Sequence, residues 1–154
     1  MTGTIDARLA ELGLTIPDAP APAANYVPRV VTGSTLYISG QIPMGPNGIE
    51  FVGRLGDTMD AETGAAAARL CAVNLIAQAR AQLGDLEHVA RVVKLVGFVN
   101  STPDFGDQPK VINGASDLMV AVFGDKGRHA RSAVGVAALP FGVAVEVEAI
   151  MEIA

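Results

Sequence analysis

The 154-residue chain has no tryptophan, one cysteine, seven aromatic side chains (five Phe, two Tyr) and only 18% charged residues. Each scarcity excludes something. A lone thiol, Cys71, cannot close an internal disulfide, so the sequence carries no mark of an oxidising compartment. No stretch reaches the roughly 18 uninterrupted apolar residues of a membrane-spanning helix. The opening Met1-Thr-Gly-Thr-Ile-Asp-Ala-Arg8 lacks the apolar run of a signal peptide. A soluble, cytoplasmic protein with no membrane partner is expected. Lys and Arg number 11 against 16 Asp and Glu, for a net charge of −5. The densest basic stretch, Lys126 to Arg131, is short, so nucleic acid is not expected as a partner. His88, His129 and Cys71 are too dispersed for a metal site, and no GxSxG, Walker, GxGxxG or HExxH motif occurs.

What is abundant is small and apolar. Hydrophobic residues make up 50% of the chain and 25 residues are alanine. That is ample material for one core, and a single domain spanning 1–154 is expected. Alanine buries little area per residue, so a domain of this texture is expected to cover a further face against copies of itself.

Periodicity places the elements. Residues 4–13 read as a short amphipathic helix stopped by Gly13, and residues 17–28, with four prolines among alanines, as an extended arm carrying Tyr26. Arg29-Val-Val and Thr35-Leu-Tyr-Ile-Ser39 read as a hairpin, Gly45-Pro-Asn-Gly48 as a turn and Glu50-Phe-Val52 as a candidate third strand. Residues 59–83 form the clearest helix, capped by Thr58 or Asp60 and ended by Gly84. Residues 90–99 are apolar on both faces and read as a central strand. A second long helix opens at Thr102-Pro-Asp104 and runs to about Phe123, and strands at about 130–138 and 143–153 flank Leu139-Pro-Phe-Gly142. The order predicts an α+β fold, a mixed sheet with two helices on one face.

The last two strands carry the main chemical inference. In 143–153, Val143, Val145, Val147, Ala149 and Met151 alternate with Glu146, Glu148 and Glu152. If the four-residue loop 139–142 closes a regular hairpin, Gly135 lies opposite Glu146, Ala133 opposite Glu148, and Arg131 shares their face. One arginine, two acids and several small residues would then surround a space over the sheet. A guanidinium fork suits a carboxylate, and a neighbouring carboxylate can orient or deprotonate water. The alternative is a solvated polar face with an internal Arg–Glu pair. Two glutamates on one face would raise a pKa by like-charge repulsion. Cys71 reads as a small core residue.

Arg131-Ser-Ala-Val-Gly-Val-Ala-Ala-Leu-Pro-Phe-Gly-Val-Ala-Val-Glu146-Val-Glu-Ala-Ile150 resembles the C-terminal signature of the RidA/YjgF family of reactive-intermediate deaminases, also described as L-PSP endoribonuclease-like. Tyr26 stands thirteen residues before Ser39-Gly-Gln-Ile-Pro43, and Asn113 lies in Val111-Ile-Asn-Gly114, as in that family. The resemblance covers about 24–154, and the preceding extension resembles a longer branch. It implies a chorismate-mutase-like α+β fold assembled as a homotrimer with sites between subunits. By the same resemblance Arg131 holds the substrate carboxylate, Glu146 positions the attacking water, Tyr26, Ser39 and Gly40 contact the ligand, and Asn113 supports the wall. The implied reaction is hydrolysis of 2-imino or enamine acids to 2-keto acids and ammonia, of the 2-iminobutanoate/2-iminopropanoate deaminase type, with no metal or organic cofactor. A non-catalytic sensor of small carboxylates and an endoribonuclease are the alternatives. Ala133 departs from the family, whose best-known members carry a cysteine there, which bears on substrate range.

Overall fold

A computed structural model describes residues 4–154. The N-terminal helix α1 (Thr4–Glu11) is followed by the extended arm. Strands β1 (Arg29–Thr32) and β2 (Thr35–Gln41) form the predicted hairpin, and β3 (Met44–Gly45) and β4 (Gly48–Ile49) make a two-residue ladder around the predicted turn. Glu50-Phe-Val52 is not a strand. Phe51 has φ 56°, which breaks extension, and Val52 makes only an isolated bridge to Val143.

Helix α2 (Ala61–Leu83) begins where Asp60 accepts from the Thr63 amide and ends at Gly84, whose φ of 76° lies in the left-handed region that glycine tolerates. Strand β5 (Val89–Asn100) leads to α3 (Gln108–Phe123), which starts later than the sequence implied. Pro109 has no N–H to donate to Phe105, so a helix opened at residue 103 would break there. The Gln108 side chain takes that carbonyl instead, Nε2 donating to Phe105 O at 2.7 Å. Strands β6 (Ala130–Val136) and β7 (Val145–Ile153) complete the chain.

The main sheet has the order β1-β2-β7-β5-β6, antiparallel except for the parallel pair β5–β6. The fold is α+β, with the helices packed on the sheet. β5 is central, as its two apolar faces imply. The expected β6–β7 hairpin is absent: β5 lies between them, paired to β6 on one side and β7 on the other. Two features explain this. Helix α3 carries the chain over the sheet between the parallel strands β5 and β6, and residues 139–142 form a corner, with Phe141 at φ 59° and Gly142 at φ 70°, rather than a tight turn. β7, whose Val145, Val147 and Met151 are fully buried, thereby gains a neighbour on each edge.

The new register inverts one strand. Leu95 pairs with Arg131, Gly97 with Ala133 and Val99 with Gly135, so these β6 residues lie on the helix-covered face. Val134, 43% exposed, lies on the open face. The pairing of Gly135 with Glu146 and Ala133 with Glu148, and the placement of Arg131 beside those acids, are corrected accordingly.

Candidate functional site

Glu146 pairs across β5 with Phe98 and stands on the open face of β7. It lines a cavity of about 170 Å³ together with Gly40, Tyr26, Ile42 and residues 20–23 of the arm. β2 has a register break between Ile38 and Gln41, and Gly40 within it lies against Glu146: a Cβ there would fall 2.1 Å from Glu146 Oε1. Glycine is what lets the carboxylate lie against the strand. Burial, and secondarily the neighbouring Glu148, push the Glu146 pKa up from the ordinary carboxylate value. The like-charge effect is the one expected from sequence; desolvation is the larger.

Ser39 does not line this cavity. Its amide and its Oγ both donate to Pro28 O, at 2.9 and 3.1 Å, fixing the base of the arm against β2. Arg131 and Asn113 lie elsewhere and together. Arg131 Nη1 donates to Asn113 Oδ1 at 2.8 Å and Ser116 Oγ at 3.1 Å, and Nη2 donates to Pro109 O at 3.3 Å. A guanidinium has five N–H groups. These three bonds leave Nε–H and one Nη2–H, the side edge that grips a carboxylate in a fork.

The predicted residues thus fall into two groups. Tyr26, Gly40 and Glu146 share a cavity, with Ser39 beside it, while Arg131 and Asn113 sit at the β6 edge of the other face. From ladder spacings, two strands across and three residues along, the Cα atoms of Arg131 and Glu146 are about 14 Å apart.

Two side chains that brace this cavity are absent from the predicted set. Asn74 Nδ2 donates to Ile42 O and Met44 O, both at 3.0 Å, and Gln78 Nε2 donates to Pro20 O at 2.8 Å. Asn74 and Gln78 are buried on α2, one turn apart, and hold the two walls of the Glu146 cavity. Their signal was available: they are the two amides in an otherwise apolar stretch, 71–79.

A mixed sheet of this order with helices on one face is the architecture of a known class. The family described as "YjgF/chorismate_mutase-like, putative endoribonuclease" matches residues 6–152, and the chain belongs to this RidA/YjgF family. It is 52% identical over 153 residues to Protein TCP17 of Trypanosoma cruzi, covering 99% of this chain and 96% of that protein. The crystal structure of Atu1372 from Agrobacterium tumefaciens, a protein of unknown function, superposes with a TM-score of 0.91 at 52% identity, over 97% of this chain and 92% of that one. A 2-iminobutanoate/2-iminopropanoate deaminase of Dermatophagoides farinae is 33% identical over 140 residues, 91% of this chain and 94% of that enzyme. Among the described residues, no helix is long and apolar enough to cross a membrane.

Proposed function

We propose that the protein hydrolyses 2-imino acids to 2-keto acids and ammonia without a cofactor, in sites shared between copies of a homotrimer. The observation that carries this reading is the half-buried Glu146 carboxylate, its pKa raised, at the wall of a mostly apolar cavity. Arg131, already oriented by Asn113 and Ser116, supplies the complementary grip. Because the two lie on opposite faces of one chain, the Arg131 that serves a Glu146 cavity comes from a neighbouring copy. Family membership and the deaminase relative support the same chemistry.

An iminium carbon is already electrophilic, so the protein need only hold the carboxylate, place water and exclude competitors. Arg131 fixes the substrate carboxylate. Glu146, in its ionised form, accepts a proton from water as the oxygen adds to the iminium carbon. The resulting carboxylic acid returns that proton to the nitrogen. As the C–N bond breaks, the regenerated carboxylate accepts the hydroxyl proton, giving keto acid and ammonia, and then releases that proton to solvent to complete the turnover. A pKa raised toward the working pH favours both steps.

Stopped-flow hydrolysis of freshly generated 2-iminobutanoate is the test. Arg131→Ala and Glu146→Gln are each expected to be inactive. Co-assembled at equal ratio, they should recover about a quarter of the sites by random pairing across a cyclic interface. Wild-type rates in Arg131→Ala overturn the chemistry; absence of recovery in the mixture overturns the shared site.

A further inference from the structure

The N-terminal arm has no task in the reaction as described. Ile5, Leu9 and Ile16 are buried, and Arg80 Nη2 donates to Ile16 O, so residues 5–16 are seated on the helices. Residues 20–23 do something else: they form one wall of the Glu146 cavity. Gln78 fixes that wall at Pro20. Its amide is held at its other end too, where Oε1 accepts from Arg29 Nη1 at 2.7 Å. One turn earlier Asn74 fixes the facing segment, residues 42–44. An i,i+4 amide pair on a buried helix therefore sets the width of the cavity.

The facing walls are apolar: Pro20, Ala21, Pro22 and Ala23 on one side, Ile42 and Met44 on the other. The volume, about 170 Å³, matches the roughly 150 Å³ of an apolar protein cavity that takes up benzene. Beside the reacting atoms at Glu146, a branched aliphatic or phenyl group covers more of these apolar walls than a methyl group does. The one ionisable carboxylate in the lining, Glu146, repels an acidic side chain.

We infer that residues 20–23 form a specificity wall, with Gln78 as its positioning residue, and that the cavity is a subsite for bulky apolar side chains. The substrates are then 2-imino acids of the leucine, methionine and phenylalanine type, in preference to 2-iminopropanoate. The choice of imino acids rests on the proposed deamination; the apolar subsite itself does not.

The test uses the full chain and two readouts. Pyruvate, 2-oxobutanoate, 4-methyl-2-oxopentanoate, phenylpyruvate and oxaloacetate are titrated calorimetrically, and the corresponding imino acids are followed by stopped flow. Ala21→Trp and Ala23→Trp place a ring in the cavity from exposed arm positions, and thermal melting checks their folding. Affinity and kcat/KM are expected to rise roughly 10-fold or more from the methyl to the isobutyl side chain, as added methylenes in an apolar pocket require. Both tryptophan variants should erase that rise, leaving binding and kcat/KM flat across the series. A flat series, or folded tryptophan variants with wild-type selectivity, overturns the subsite and leaves deamination standing. Graded, tryptophan-sensitive binding without turnover upholds the subsite and overturns deamination. Neither binding nor turnover overturns both.

Discussion

Gly40→Ala separates catalysis from stability more cleanly than any change to a charged residue. A Cβ at position 40 would lie 2.1 Å from Glu146 Oε1, 2.8 Å from Cδ and 2.9 Å from Cγ, where real contacts essentially never fall under 3.0 Å. All three atoms belong to one flexible side chain, so the carboxylate swings aside and β2 keeps its path. The displacement of Oε1, from 2.1 Å to beyond 3.0 Å, approaches 1 Å at the atom proposed to handle water. A misplacement of that size costs about 10²-fold in rate. Stability moves little. Gly40 is not among the residues with positive φ, so alanine gains about 0.4–1 kcal/mol by restricting the unfolded chain. An off-rotamer Glu146 costs about 0.5–1.5 kcal/mol. The net is within about 1 kcal/mol, or about 4 °C in Tm for a chain of this size. Stopped-flow kinetics beside a thermal melt is the assay. Expected is a loss of about 100-fold in kcat/KM at nearly unchanged Tm. An active Gly40→Ala protein refutes the assigned role of Glu146. A loss above about 3 kcal/mol shows that the backbone, not the carboxylate, takes the strain.

Two further substitutions read the two half-sites separately. Glu146 has its pKa raised by burial and by Glu148, so the folded state holds its proton more tightly than the unfolded chain does. Its contribution to stability is complete below the ordinary value of 4.5 and is lost as pH rises through the folded-state pKa. Glu146→Gln should therefore melt higher than wild type at pH 7, with the gain shrinking toward pH 4; a variant less stable at pH 7 refutes the desolvation. Asn113→Ala removes one of three anchors of Arg131. It should raise KM about 5-fold, the weight of about 1 kcal/mol, with kcat nearly unchanged. Steady-state kinetics checks this, and an equal fall in kcat would give Asn113 a part in the transition state instead.

The elements were legible because each carries its own periodicity and punctuation. Asp60 and Gly84 bound α2, and the two apolar faces of β5 announced a central strand. Pairing was legible only where the chain turns tightly, as between β1 and β2. It failed at 139–142, because alternation fixes which residues share a face of one strand but not which strand lies beside it. The error propagated to the site. With β5 inserted between β6 and β7, Arg131 moves to the helix side and leaves Glu146 on the open side. Resemblance to a family singles these residues out, whereas local pattern joins them on one face of one chain. The structure separates them, and the proposed reaction therefore draws its arginine from a second copy.

Alanine content, finally, has a mechanical consequence for the site. Residues 71–79 of α2 are buried at every position, which requires a thin helix with neighbours on all sides. On the α3 side the approach is close enough that a Cβ on Gly114 would fall 1.9 Å from Ala65 O. On the sheet side Cys71 Sγ lies 3.6 Å from Val145 O, beneath the strand that carries Glu146. Burial, and then the Glu146 charge, hold that thiol's pKa well above its ordinary value, so Cys71 is neutral packing and not a nucleophile. Larger side chains along this stretch would lift the helix from the sheet. Its two amides would then leave Pro20 on one side and residues 42–44 on the other. Helix α2 supplies no proposed catalytic atom, yet it sets the width of the cavity in which Glu146 sits.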